Sequence, residues 1–253
     1  YATPLRRTVE DLTVIRGAGD LATGIAVRLV RAGFPVVCLE TAEPTVIRRS
    51  VSFAQAVFDG ETAVETVRAV RAETVEATYA ILERGEVPVL VDPEVRSVDV
   101  LKPAVLIDAI IAKKNLGTHR GMAPITIALG PGFVAGDDVD AVIETNRGHT
   151  LGRVILAGAA EENTGVPGTI GGQSARRVVR APAEGVFSSS VAIGDLVEEG
   201  DTLGAVEDTP VVSPLSGVVR GLLADGITVS PGFKIGDVDP RGASVDWKTI
   251  SDK

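Results

Sequence analysis

The run Gly17-Ala18-Gly19-Asp20-Leu21-Ala22 follows the pattern G-x-G-x-x-G/A, whose chemistry is that of a phosphate cradle. In such a loop the first glycine allows a tight turn and the second lets backbone approach a pyrophosphate. The small third residue lets the next helix pack on its strand. A helix opening here offers free N–H groups and the positive end of its dipole to an anion. Glu40 stands 23 residues after Gly17, where an acidic side chain meets a ribose 2′-hydroxyl. Gly17, Ala18, Gly19, Asp20, Leu21 and Glu40 are therefore the expected cofactor-binding residues. Asp20 would repel a phosphate if its carboxylate turned inward, and it is equally suited to capping the helix.

Arg48 and Arg49, in the loop Pro44-Thr45-Val46-Ile47-Arg48-Arg49, extend that expected set as bidentate ligands for phosphate or carboxylate. Surface salt bridging is their ordinary alternative role. A further loop, Asn146-Arg147-Gly148-His149-Thr150-Leu151-Gly152-Arg153, supplies His149 as a candidate acid or base, with Arg147 and Arg153 beside it. A loop histidine is more often a solvated or capping residue. These three are nonetheless expected within reach of an anion held at Gly17, because loops at strand C-termini share one rim. A third loop, Gly117-Thr118-His119-Arg120-Gly121, groups similar residues. Cys38 lies in an apolar run and reads as a small core hydrophobe rather than a sulfur or selenium relay.

The elements that must position these residues follow from periodicity. Residues 12–16 and 35–39 read as buried strands flanking a helix over 21–32, stopped at Gly33. A helix is predicted over 74–84. Further strands are predicted over 87–91, 104–107, 124–129, 141–144 and 154–157. A boundary is placed in the Gly-, Thr- and Asn-rich stretch 158–173, giving domains at 1–160 and 174–253. The second contains an internal repeat offset by 32 residues. Ala181-Pro182-Ala183-Glu184-Gly185-Val186 recurs as Ser213-Pro214-Leu215-Ser216-Gly217-Val218. Gly194, Val197, Gly200, Gly204 and Val206 recur as Gly226, Val229, Gly232, Gly236 and Val238. Two interleaved halves would bury one shared core.

Composition excludes several classes. A net charge of −9, with no block of five Lys or Arg, disfavours nucleic acid. One cysteine allows no internal disulfide and no Cys-based zinc site, and two distant histidines add no ligand pair, so no metal is expected. No apolar run approaches the ~20 residues that span a bilayer. Tyr1-Ala2-Thr3-Pro4-Leu5-Arg6-Arg7 has no apolar signal core, so a cytoplasmic location is expected.

The repeat resembles lipoyl and biotinyl carrier domains, which have the barrel-sandwich hybrid fold. Carriers need a modifiable lysine at the hairpin tip between the halves. Here the tip is Val206-Glu207-Asp208-Thr209-Pro210, so no covalent lipoyl or biotin is expected. The expected fold class is α/β: a Rossmann-like N-terminal domain followed by a C-terminal barrel-sandwich hybrid module.

Taken together, six motifs resemble those of one family. They are G-A-G-D-L-A-T-G at 17–24, P-T-x-I-R-R at 44–49, G-P-G-F at 130–133, E-T-x-R-G-H-x-L-G-R at 144–153, Asn163-Thr164-Gly165-x-Pro167-Gly168, and K-I-G-D-x-D-P-R at 234–241. The family is the accessory proteins of selenium-dependent molybdenum hydroxylases, of YqeB type. The resemblance implies a cytoplasmic helper that matures such a hydroxylase, its protein partner. Such hydroxylases carry a molybdopterin dinucleotide, so the glycine loop together with the resemblance gives a nucleotide-containing cofactor as the expectation: a molybdopterin dinucleotide or, from the loop alone, NAD. The resemblance names a pathway rather than a reaction. Two other readings stand beside it: an NAD-dependent oxidoreductase, from Gly17, Gly19, Ala22 and Glu40, and a non-catalytic docking protein built on the β module.

Overall fold

The computed structural model describes residues 11–162, 172 and 175–251. The motif beginning at Asn163 therefore lies outside the described residues. The chain divides into two compact units: Tyr1–Pro44 with Ser52–Thr164 and Ile250–Lys253, and Thr45–Val51 with Gly165–Thr249. The second unit thus recruits seven residues from far upstream.

The first unit holds β1 (Thr13–Arg16), β2 (Val36–Glu40), β3 (Glu61–Val64), β4 (Val67–Ala72), β5 (Val87–Val91), β6 (Val105–Asp108), β7 (Ile125–Leu129), β8 (Val134–Ala135), β9 (Ala141–Ile143), β10 (Val154–Ile155) and β11 (Gly158–Ala159). Its helices are α1 (Asp20–Arg31), α2 (Ala56–Asp59), α3 (Val75–Glu83) and α4 (Val98–Leu101). Nine strands make one sheet in the order β10-β9-β7-β6-β1-β2-β5-β4-β3, and β11 pairs with β8 apart from it. The strands from β9 to β4 run parallel, while β10 and β3 close the edges antiparallel. Central strands are buried on both faces, which is why β1 and β2 read as continuous apolar runs. Leu12, Val14, Val37, Leu39 and Leu106 form a core with Ile81 of α3.

The second unit holds β12 (Val178–Arg180), β13 (Gly185–Ser189), β14 (Leu196–Val197), β15 (Thr202–Val206), β16 (Thr209–Val212), β17 (Gly217–Leu222), β18 (Thr228–Val229) and β19 (Lys234–Asp239). They form two four-stranded sheets, β12-β19-β17-β14 and β16-β15-β13-β18. The offset of 32 residues carries β13, β14 and β15 onto β17, β18 and β19, and exchanges the sheets. Each sheet therefore takes two strands from each half. Phe187, Leu203 and Val206 of one half share a core with Val219, Leu222 and Ile235 of the other.

The expected fold class is corrected by this topology. A Rossmann-like domain joined to a barrel-sandwich hybrid does not describe a mixed nine-stranded sheet within a chain of four sheets. Only α1 and α3 exceed four residues among the described helices, so the helical layers of a doubly wound sheet are not assembled around β6, β7 and β9. The glycine pattern speaks for one β-α-β step and is silent on the seven other strands of the sheet. The repeat fixes strand spacing, not the class of the module.

Candidate functional site

The glycine loop leaves β1 at Arg16, a residue with 8% exposure. Its guanidinium is folded inward. Nη1 donates to Thr118 Oγ1 at 2.9 Å, and Nη2 donates to the Pro93 and Leu116 carbonyls at 3.1 Å each. Thr118 Oγ1 donates in turn to Asp108 Oδ2 at 2.6 Å, and Arg16 lies 3.5 Å from the same carboxylate. Asp108 ends β6, beside β1, so an ion pair at adjacent strand ends anchors the base of the loop. Composition hinted at this lock only through Asp108, a charge inside the most apolar stretch of the chain.

Gly17 has φ of +106°, and a Cβ there would come within 3.2 Å of the Ala109 backbone. The turn is therefore a glycine position on both conformational and steric grounds. The Ala18 carbonyl accepts from Ser52 Oγ at 2.7 Å and from Ala54 N at 2.8 Å, which fixes the loop from below. Gly19 is the N-cap of α1 and receives no side-chain cap; a Cβ at Gly19 would meet nothing within 4 Å. Asp20 Oδ1 accepts from Leu21 N at 3.0 Å. The space beside Gly19 is open.

Glu40 is drawn into this loop. Its Oε2 accepts from Ala18 N at 2.8 Å and its Oε1 from Thr41 N at 2.8 Å. The loop thus already presents an amide to an oxyanion, that of its own chain. Cys38, one turn of pleat before it on β2, is fully buried; burial, with the Glu40 charge behind it, pushes its thiol far up, away from nucleophilic use.

Arg48 and Arg49 belong to the other unit. Arg48 Nη2 donates to the Thr249 carbonyl at 3.1 Å and Arg49 Nε to the Leu222 carbonyl at 2.8 Å. Arg147, His149 and Arg153 are exposed. Their loop follows β9, three strands from β1 in the sheet, or roughly 14 Å at ordinary strand spacing. Buried Glu144 organises that loop, accepting from Asn146 N at 2.6 Å and Glu161 N at 2.7 Å. The Asn146 amide and the Thr150 hydroxyl hold the Glu161 carboxyl below its usual range. The structure therefore brings Gly17, Ala18, Gly19, Asp20, Leu21 and Glu40 together, while Arg48 and Arg49 belong to the second unit and the loop of Arg147, His149 and Arg153 follows a strand three places away in the sheet.

Among the described residues no three His, Cys, Asp or Glu side chains gather as a metal site, and no helix is long and apolar enough to cross a membrane.

No protein-family model matches the chain. Solved structures that it resembles include an aspartoacylase family protein from Mesorhizobium loti, 12% identical, covering 90% of this chain and 84% of that one at a TM-score of 0.27. Another is the ectoine utilization protein EutE of Ruegeria pomeroyi, 11% identical over 86% and 62% of the two chains at a TM-score of 0.25. A third, a succinylglutamate desuccinylase/aspartoacylase from Rhodobacter sphaeroides, is 27% identical over 26% of this chain and 23% of that one, with a TM-score of 0.23. Likeness at these scores carries no argument about activity. The chain is 56% identical over 250 residues, 99% of its length, to the uncharacterized protein YqeB of Escherichia coli strain K12, and spans 46% of that relative. The chain is thus similar to YqeB along nearly its whole length, and spans about half the length of that relative.

Proposed function

We propose that this chain holds the phosphate end of a nucleotide-containing cofactor at the Gly17–Leu21 loop, as an accessory protein in the maturation of a selenium-dependent molybdenum hydroxylase. One observation carries the binding reading: the loop presents the Ala18 amide to a carboxylate at 2.8 Å while the Gly19 face stays open. An oxyanion already fits there, and the N-terminus of α1 lies behind it. The maturation role is supported by the motif set shared with the accessory family. Glu40, the acidic residue that ends β2, supports a second reading, an NAD-dependent oxidoreductase in which its carboxylate would grip a ribose.

Calorimetry with NAD, NADP, CTP and molybdopterin cytosine dinucleotide separates the readings. Cytosine dinucleotide binding is the result expected for the accessory role, and NAD binding alone would favour the oxidoreductase. Gly19→Val should abolish binding of whichever nucleotide is held, by filling the open face. Undiminished binding by that variant would remove the phosphate-cradle reading. Glu40→Gln should strengthen inorganic pyrophosphate binding by several-fold, because a competing negative charge is removed from the loop.

A further inference from the structure

A half-buried arginine in the β unit is short of hydrogen-bond partners. Four stretches of the second unit bring charge together. Arg177 precedes β12, Arg220 lies on β17, Asp237 and Asp239 lie on β19, and Arg48 comes from the upstream segment Thr45–Val51. The register sets Asp237 opposite both Val178 and Gly221, which places it between Arg177 and Arg220. Asp237 accepts its close hydrogen bond from Arg177. Asp239, fully buried, takes the Arg241 fork at 2.9 and 2.7 Å. Arg220 is left with a single ion pair at 3.7 Å to Asp237. It makes no hydrogen bond among the described residues, and its Nε is buried without a partner. Its side chain is only 17% exposed. A guanidinium carries five donors, and a buried one left without an acceptor is costly; here that donor is Nε.

The repeat shows that this charge is not demanded by the architecture. At the offset of 32 residues, Arg220, Asp237 and Asp239 correspond to Ser188, Ala205 and Glu207. The first sheet's partner folds to the same strand order with a serine and an alanine in two of those places. The arginine is therefore an addition to one half of a duplicated frame.

We propose that Arg220 is the centre of an anion site in the β unit, taking the carboxylate group of a small-molecule or peptide ligand. A planar carboxylate matches the guanidinium fork in a bidentate pair. A single negative charge suits the position better than a phosphate dianion, which Asp237 and Asp239 would repel more strongly. Burial, and the crowding of Arg48 and Arg177, already weaken the hold of Arg220 on its proton, and an arriving anion relieves both. The site lies in the unit that does not carry the glycine loop, so it stands or falls independently of nucleotide binding.

The test is arginine side-chain NMR of the 15N-labelled chain, titrated with acetate and separately with inorganic phosphate, ionic strength being held constant with chloride. A saturable shift of the Arg220 Nε resonance by acetate is expected, with phosphate weaker. Arg220→Gln should fold normally, since it removes no hydrogen bond, and should lower acetate affinity at least about tenfold. Arg180→Gln, an exposed arginine of the same unit, should leave it unchanged. Absence of an acetate response beyond chloride would overturn the proposal, as would a response surviving in Arg220→Gln. Tighter binding of phosphate than acetate would overturn the carboxylate assignment. Should Arg220→Gln fail to fold, the site would be structural and the proposal would fall, unless Arg220→Lys folds and weakens acetate while keeping the charge.

Discussion

The two sheets of the β unit are the same frame carried twice, and they differ most in what they do with charge. One half places Arg220, Asp237 and Asp239 where the other places Ser188, Ala205 and Glu207. Around Ser188 the surface is an open depression lined by Ser189, Ser190 and Thr202. Around Arg220 the groups are buried, and most of their donors and acceptors are committed to one another. Duplication supplied a stable frame, in which the apolar positions repeat faithfully and the polar ones are at liberty to diverge. A position that breaks the repeat is thus more informative about function than a position that obeys it.

The sharpest way to break the comparison is Asp237→Ala, which gives the charged half the residue of its partner. It should destabilise the chain by about 3–5 kcal/mol, because buried Arg177 loses its close carboxylate partner and half-buried Arg220 its ion pair. Urea denaturation measures it, and a loss under 1 kcal/mol would mean the ion cluster is solvated in practice. Next in size is Gly217→Ala, where a Cβ would meet the Asp239 carbonyl oxygen at 2.3 Å. A cost of about 1–3 kcal/mol is expected, since only backbone movement relieves the clash. Its repeat counterpart, Gly185, meets the Glu207 side chain instead, whose carboxylate accepts from Val186 N, and its φ of +142° adds backbone strain. Gly185→Ala should therefore also cost about 1 kcal/mol or more, and a smaller loss would deny the steric account.

A third difference is in acid. Burial raises the Asp239 carboxyl, but the hydrogen bonds and charge of Arg241 outweigh it and hold the group below its ordinary range. A carboxyl depressed in the folded state contributes stability above its unfolded pKa, and that stability is lost as pH falls through the folded value. Asp239→Asn should accordingly flatten the acid limb of the stability curve, read from denaturation midpoints below the usual aspartate range. An unchanged acid limb would remove Asp239 as a contributor. The smallest effect expected is that of Ser188→Ala, within about 0.5 kcal/mol, as suits a surface hydroxyl in the uncharged half.

Much of the scaffold was legible because burial on both faces leaves an unmistakable apolar run. The strands at residues 13–16, 36–40, 87–91 and 105–108 lie within a residue or two of their predicted bounds, as do α1 and α3. The hairpin of β3 and β4 was missed, although Val67, Ala69 and Ala72 are buried while Arg68 is exposed, because the alternation is short and edged with charge. The glycine loop was legible since its residues are contiguous. Arg48 and Arg49 follow Glu40 closely in sequence, yet no local pattern announces their partners: Arg48 donates to the Thr249 carbonyl and Arg49 to the Leu222 carbonyl. Arg16, Asp108 and Thr118 meet only through strand pairing, and no local pattern announces them.

The segment Thr45–Val51 also sets an order of events during synthesis. It leaves the ribosome more than a hundred residues before the strands it will join. The β unit cannot be completed from its own contiguous sequence, so a fragment starting at residue 175 should lack the Ile47–Leu222 and Arg49–Leu222 bonds and gain exposed apolar surface at Gly221. Such long-range closure slows folding and leaves the nascent segment unpartnered in the meantime. A chain joined this way behaves as one inheritable piece: it tolerates change within either unit more readily than being cut between them.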